Sequence, residues 1–356
     1  MEHIRQAIVS GKFSGEMPGI RKLAQRLGVS SNTVGAAISQ LEKEGFLEVR
    51  GQGRSSRIIL PENYARPSFR VTLLLYERAD LQLGHVAEIQ KQLRERGHDV
   101  NLAPKSLTEL GMKVERVARM VQSSKTDAWV ILSATKEVLE WFVAHDVPAF
   151  ALSGRFRDLP IAGTGPNKVA AFRKAVRRLV ELGHRRIVLL QPDHMRKPDL
   201  GLLLREALEE IESHGIKTGP YNLPDWEQSP EGLRRCLDSL FSLSPPTALI
   251  LDRPCEYIAA QHYLARKGVL TPRDISLVCT DDDGVFEWCR PPASSIRWDS
   301  QPWVRRIASW VDHVAHGKDD RRHSFSKAVF VERESIGPAR SASNPKALKS
   351  GSATSG

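Results

Sequence analysis

Cysteine is scarce: Cys236, Cys255, Cys279 and Cys289 are the only four in a chain of 356 residues. Cysteines so few and so scattered cannot form the disulfide framework of a small secreted domain. No Cys-x-x-Cys or Cys/His cluster has the spacing of zinc ligands. Each is read as a small buried or half-buried hydrophobe. No stretch approaches about 18 uninterrupted apolar residues, so no membrane-spanning helix is expected. The charged opening Met1-Glu2-His3-Ile4-Arg5 is not followed by the apolar run of an export signal. A soluble, cytoplasmic protein is expected. Also missing are a Gly-x-Ser-x-Gly elbow, a P-loop and any nucleophile with a base beside it, so neither an enzyme nor a cofactor is expected. Gly163-Thr164-Gly165 lacks the third glycine and the strand-to-helix setting of a dinucleotide fingerprint. Asp281-Asp282-Asp283 reads as a ligand-facing carboxylate with turn-forming neighbours rather than a metal site.

What is present is an ordinary globular composition, 41% apolar and 26% charged, with a length suited to two or three domains. Lys and Arg number 52 against 42 Asp and Glu, a net charge of +10. That surplus is uneven. Residues 1–70 carry 11 Lys/Arg against 6 Asp/Glu, and residues 337–356 carry three cations and no acid. The long middle is close to neutral. Two composition shifts therefore divide the chain into a head (1–60), a linker (61–70) with prolines at 61 and 67, a body (71–336) and a basic Ser/Ala/Gly-rich tail (337–356) expected to be disordered.

The head punctuates itself. Pro18 suits a first helical position, Leu23, Ala24 and Leu27 form an apolar stripe, and Gly28 suits the residue after a helix. Ser30 or Ser31 can cap a second helix, whose Val34, Ile38 and Leu41 share one face and which Gly45 ends. Two short alternating runs around Gly51-Gln52-Gly53 predict a β-hairpin. Two helices joined by a three-residue turn and followed by a hairpin make a winged helix-turn-helix. Its second helix would enter the major groove of double-stranded DNA. Ser30, Ser31, Asn32, Thr33 and Gln40 are the candidate contacts on that helix. Arg21 and Lys22 are candidate phosphate contacts before it, and Arg50, Gly53 and Arg54 at the hairpin.

These residues also carry a resemblance. Met17-Pro18-Gly19-Ile20-Arg21, Leu23-Ala24, Leu27-Gly28-Val29-Ser30, Thr33-Val34, Glu44-Gly45 and Gly51-Gln52-Gly53 closely resemble the GntR-type winged-helix DNA-binding domain, over about the first 60 residues. The family usually has Ser where Gly19 stands, and often Arg where Ser31 stands.

Beyond Pro67 strand-like and helix-like stretches alternate. Strands are read at 70–76, 100–102, 128–132, 147–152, 186–190, 247–251 and 275–279. Helices are read around 86–96, 114–121, 136–145, 168–182 and 202–213, with another ending at Gly268. This predicts a doubly wound α/β arrangement in two similar lobes. Ligands bind beyond the carboxyl ends of such strands. The candidate ligand positions are therefore Glu77, Ser133, Gln191, Asp252, Arg253, Asp281 and Asp282, with Trp298 as an aromatic able to stack on a ligand. Trp288 is a second such aromatic, while Trp303 and Trp310 are read as packing residues, and His184 as the maker of a structural hydrogen bond.

Here too a family is similar. Leu182-Gly183-His184-Arg185-Arg186-Ile187, Arg205-Glu206-Ala207-Leu208, Pro246-Thr247-Ala248, Pro272-Arg273-Asp274-Ile275-Ser276 and Asp281-Asp282 follow the effector domain of LacI-type repressors, itself similar to periplasmic sugar-binding proteins. A GntR-type head on such a body resembles the arabinose-repressor type of bacterial regulator. The resemblance implies a dimeric, ligand-responsive transcriptional regulator, most simply a repressor, that binds operator DNA and closes two lobes around a small ligand. A sugar is the family default. The family's ligand-clamping Arg falls near Leu200, and its Asn-Asp pair falls on Arg253-Pro254, so a changed ligand or a degenerate pocket competes with the sugar. A solute-binding protein of periplasmic type without DNA function would need an export signal. An α/β enzyme on a DNA-binding head would need a cofactor lysine in a family motif. Neither is read.

Overall fold

In the computed structural model the described residues are 2–9, 13, 15–50, 55–59, 68–197 and 199–340. The head holds α1 (Glu2–Val9), α2 (Ile20–Leu27), α3 (Ser31–Lys43), β1 (Leu47–Glu48) and β2 (Arg57–Ile58). The two strands pair antiparallel, Leu47 opposite Ile58. Helix α2 begins at Ile20, two residues later than Pro18 suggested, with Gly19 at its N-cap. Gly28 adopts φ 65° and its N–H donates to Ala24 O, a left-handed stop that costs glycine nothing. Leu23, Val34, Ile38, Leu41 and Leu47 meet Ile4, Ile8 and Met17 in one core. Gly51, Gly53 and Arg54, and the linker to residue 67, lie outside the described residues.

The rest of the chain contributes β3 (Arg70–Leu74), α4 (Gly84–Glu95), β4 (Asp99–Leu102), α5 (Val114–Gln122), β5 (Ala128–Leu132), α6 (Lys136–Ala144) and β6 (Ala149–Leu152). Then come β7 (Ala162–Asn167), α7 (Val169–Glu181), β8 (Ile187–Leu190), α8 (Asp193–Arg196), α9 (Leu202–Ser213), α10 (Pro230–Leu243) and β9 (Ala248–Leu251). The last elements are α11 (Pro254–Arg266), β10 (Ser276–Cys279), β11 (Ser294–Trp298), α12 (Gln301–Ala315) and β12 (His323–Val331). The alternation read in the sequence is present. It overlooked β7, α8, α10, β11, α12 and β12.

Two compact units emerge. The first comprises Met1–Ile131, Phe142–Phe150 and Val304–Arg322, and the second Leu132–Trp141, Ala151–Trp303 and His323–Gly356. In the first unit β3 lies between β4 and β5, parallel to both. Val71, Leu73, Val130 and Ile131 are buried, as near-continuous apolar strands in a parallel sheet should be.

In the second unit the strand order is β7-β12-β11-β10-β9-β8. All neighbours are parallel except β11 and β12, which run antiparallel. The sheet is covered on both faces. One face packs Leu189, Ile250, Val278 and Ile296 against α7 and α9. The other packs Leu190, Leu251, Leu277 and Cys279 against α10 and α11. Each buried aliphatic side chain contributes about 1.5–3 kcal/mol, so these two layers dominate the stability of the unit.

Two sequence expectations need correcting. Residues 337–340, assigned to a disordered tail, are fastened to the second unit. His184 Nε2 lies 2.9 Å from Gly337 O, Gly337 N–H donates to Ser276 Oγ at 3.0 Å, and Ala339 N–H donates to Leu182 O at 2.8 Å. Residues 341–356 lie outside the described residues. Cys255 is exposed on α11 rather than buried, whereas Cys279 is buried and Cys236 and Cys289 are intermediate.

Candidate functional site

The head presents α3 to solvent by its residue order. Val34, Ala37, Ile38 and Leu41 turn inward, which leaves Ser31, Asn32, Thr33 and Gln40 exposed on the other face. Ser30 is the cap: its Oγ accepts the Thr33 N–H at 3.1 Å and lies 2.7 Å from Thr33 Oγ1. Caps of this kind hold about 1 kcal/mol and fix where the helix begins. Arg21 and Lys22 are exposed in the first turn of α2. Arg50 is exposed, with Glu16 3.5 Å away. Gln40 is less free than its position suggested, because its amide N–H donates to Glu44 at 3.0 Å while Glu44 also pairs with Arg5. What results is a capped helix end with short polar side chains and cations beside it, a surface that suits phosphate contact and base-edge readout.

In the second unit, strand register builds the other site. Leu190, Leu251 and Cys279 are aligned neighbours on β8, β9 and β10. Gln191, Asp252 and Thr280 therefore form the next row, beyond the strand ends. Alternation aims that row at the face shared by Leu189, Ile250 and Val278. Helix α7 packs on the same face, and Lys168 is its N-cap residue. Thr280 Oγ1 donates to Asp252 Oδ1 at 2.8 Å. The Lys168 ammonium pairs with Asp281 and sits 4.2 Å from the centre of the Trp298 ring. Burial works against that charge, but Asp281 and Asp252 more than reverse the effect, so the Lys168 pKa lies above its ordinary value. Gln191 is wholly buried, and neither its amide oxygen nor its amide nitrogen has a hydrogen-bond partner.

The remaining expected residues divide. Asp282 faces the sheet: Ser295 donates to it, Arg297 Nε donates at 2.6 Å, and Arg333 approaches at 3.3 Å. Burial would raise its pKa, yet those partners hold it below the ordinary carboxylate value. Asp283 caps the turn after it by accepting the Val285 N–H at 2.8 Å. Three consecutive acids thus have three separate sets of partners. Arg253 pairs with Glu256 at 3.0 Å at the start of α11, and Leu200 packs into the core. Ser133 follows β5 with φ 49°, and its N–H donates to Leu152 O. Glu77 belongs to the first unit, where it caps the 3-10 turn Arg78–Gln82. Trp303 and Trp310 are buried, while Trp288 is 85% exposed. Sequence reasoning missed Lys168, Arg297 and Arg333. A basic residue next to a strand end was a weak signal, and nothing local ties Lys168 to Asp281, 113 positions away.

Among the described residues, no three or more His, Cys, Asp or Glu side chains are grouped to hold a metal ion, and no helix is long and apolar enough to cross a membrane.

Comparison with known proteins finds matches to both the head and the body of the chain. Residues 1–57 match the bacterial regulatory proteins of the gntR family, and residues 176–336 match the periplasmic binding protein-like domain. The HTH-type transcriptional regulator AglR of Rhizobium meliloti is 24% identical over 90% of this chain and 94% of its own length. The HTH-type transcriptional repressor CytR of Escherichia coli is 28% identical over 36% of this chain and 38% of its own. Among solved structures, the lac repressor dimer bound to operator and the anti-inducer ONPF superposes with a TM-score of 0.61. It covers 76% of this chain and 94% of its own at 19% identity, which establishes a shared fold.

Proposed function

We propose that this chain, with its gntR-type head and periplasmic binding protein-like body, is a transcriptional regulator that represses from operator DNA and takes a small effector at the strand ends of its second unit. The observation that carries the reading is the pairing of two sites in one chain. One is a capped, exposed helix flanked by Arg21 and Lys22. The other is a row of polar groups beyond parallel strands, with Gln191 and Thr280 buried and Asp252 half-buried between them. Curated relatives named as transcriptional regulators and repressors support it. The chain acts as a homodimer on a two-fold symmetric operator in the cytoplasm, a reading supported by the neighbour described as a dimer on operator. In this role it needs no catalytic residue and no cofactor. The effector works by differing in affinity for two states of the body.

The test is selection from random duplex DNA with the purified protein, followed by gel shift. The expected product is one enriched inverted repeat. Arg21→Ala or Lys22→Ala should weaken binding about tenfold across all sequences and flatten its salt dependence, whereas Thr33→Ala should relax sequence preference. None should lower the melting temperature. Absence of enrichment, or unchanged affinity in all three variants, overturns the assignment of this face.

A further inference from the structure

The carboxylates that would ordinarily accept bonds from a neutral ligand are already occupied. Asp281 holds the Lys168 ammonium, and Asp282 is taken up by Ser295, Arg297 and Arg333. Lys168 is itself largely withdrawn from water, with 15% of its side chain exposed, and its charged nitrogen lies over Trp298. Carboxylates beside an aromatic face are the ordinary chemistry for recognising an organic ammonium. Trp298 is held nearly parallel to Trp303, 20° apart with centroids at 5.9 Å, so the ring is supported rather than loose. Next to Asp252 stands Gln191, wholly buried with its whole amide unpartnered, which indicates a polar group that this end of the sheet is built to receive.

We infer that Asp281, Asp252 and Trp298 form a receptor for an organic ammonium group, that Lys168 is its resident occupant, and that the effector is an amine which displaces this lysine. The inference deepens the proposed effector site by naming its ligand class. A neutral polyol fits poorly. It would either leave Lys168 over the ring or strip the cation from half-buried carboxylates and put nothing charged in its place. An incoming ammonium exchanges like for like. Its hydrogen-bonding substituents then meet Gln191, which supplies one acceptor and two donors.

The experiment uses the full chain and no DNA, so its outcome is separate from that of the operator-binding test. In Lys168→Ala the receptor is vacated. n-Butylammonium chloride should then raise the melting temperature saturably, while sodium chloride at equal ionic strength should not. Calorimetry should find binding to this variant about tenfold or more tighter than to the wild type, because a tethered occupant competes at high effective concentration. Adding Asp281→Asn or Trp298→Leu to the variant should abolish the response. Should Lys168→Ala fail to fold alone, refolding it in n-butylammonium is the same test, and recovery of a cooperatively melting protein is the expected result. No saturable response and no recovery overturns the inference. So does equal binding to wild type and variant, since Lys168 would then be a structural strut beside an unrelated amine site.

Discussion

Glu256 sits near the start of α11, buried, its Oε1 3.0 Å from Arg253 Nε. Burial first, and then the nearby Asp252, push its pKa from 4.5 up to about 7 despite that arginine. The unfolded chain ionises this group near 4.5 while the folded chain keeps it protonated to about 7. Folding stability from this residue is therefore intact below the lower value, declines across the window, and levels off above it. The loss is about 3 kcal/mol. Glu256→Gln should remove the decline, so that the variant melts higher than the wild type at pH 8 and close to it at pH 5. An unchanged difference between the two pH values would refute the assignment. At this scale the sequence was half legible. Gln191, Asp252 and Asp281 follow from a rule about strand ends, because position along a strand is local information. Lys168 and Arg333 do not, because their partners are fixed by tertiary packing across 113 and 51 residues.

Element by element, periodicity located what was strongly periodic. Helix α9 falls on the residues expected, and α3 carries its apolar stripe and its Ser30 cap where they were read. The failures were elements whose composition serves packing. Strand β7, Ala162–Asn167, contains two glycines and a proline and had the look of a broken nucleotide loop. Its glycines answer to neighbours instead. A Cβ on Gly163 would lie 2.4 Å from the Phe156 ring, which stacks on Phe325 at 5.7 Å, and one on Gly165 would lie 3.3 Å from Ser153 Oγ. Gly163→Ala should cost about 2 kcal/mol by forcing Phe156 aside. Chemical denaturation should show this as a lower midpoint, and operator binding by folded protein should not change. A neutral result would mean that Phe156 can relax. The alternating pattern of β12 was similarly hidden, since Phe325 and Val329 face outward while Ser326 is buried.

For the molecule as a whole, the uneven charge along the chain matches its division of labour. The surplus of cations is concentrated at the head, where phosphate contact is proposed, while the body is close to neutral. The second unit is also less local than the sequence implied. Strand β12 lies between β7 and β11, so the middle of that sheet is filled by the last strand among the described residues. A chain ended at Arg322 should fail to melt cooperatively in this unit, whereas one ended at Arg340 should match the full chain. A cooperative transition in the shorter chain would show that β12 is dispensable. The same placement governs how the protein is made. At about 5–20 residues per second, β7 leaves the ribosome on the order of ten seconds before β12 does. Throughout that interval the β7 edge waits with its backbone groups unpaired, joined late by the edge of β11, open to the wrong partner. Synthesis of this chain therefore carries a period of exposure that ends only when β12 emerges, and slow translation or a stall ahead of that strand would lengthen it.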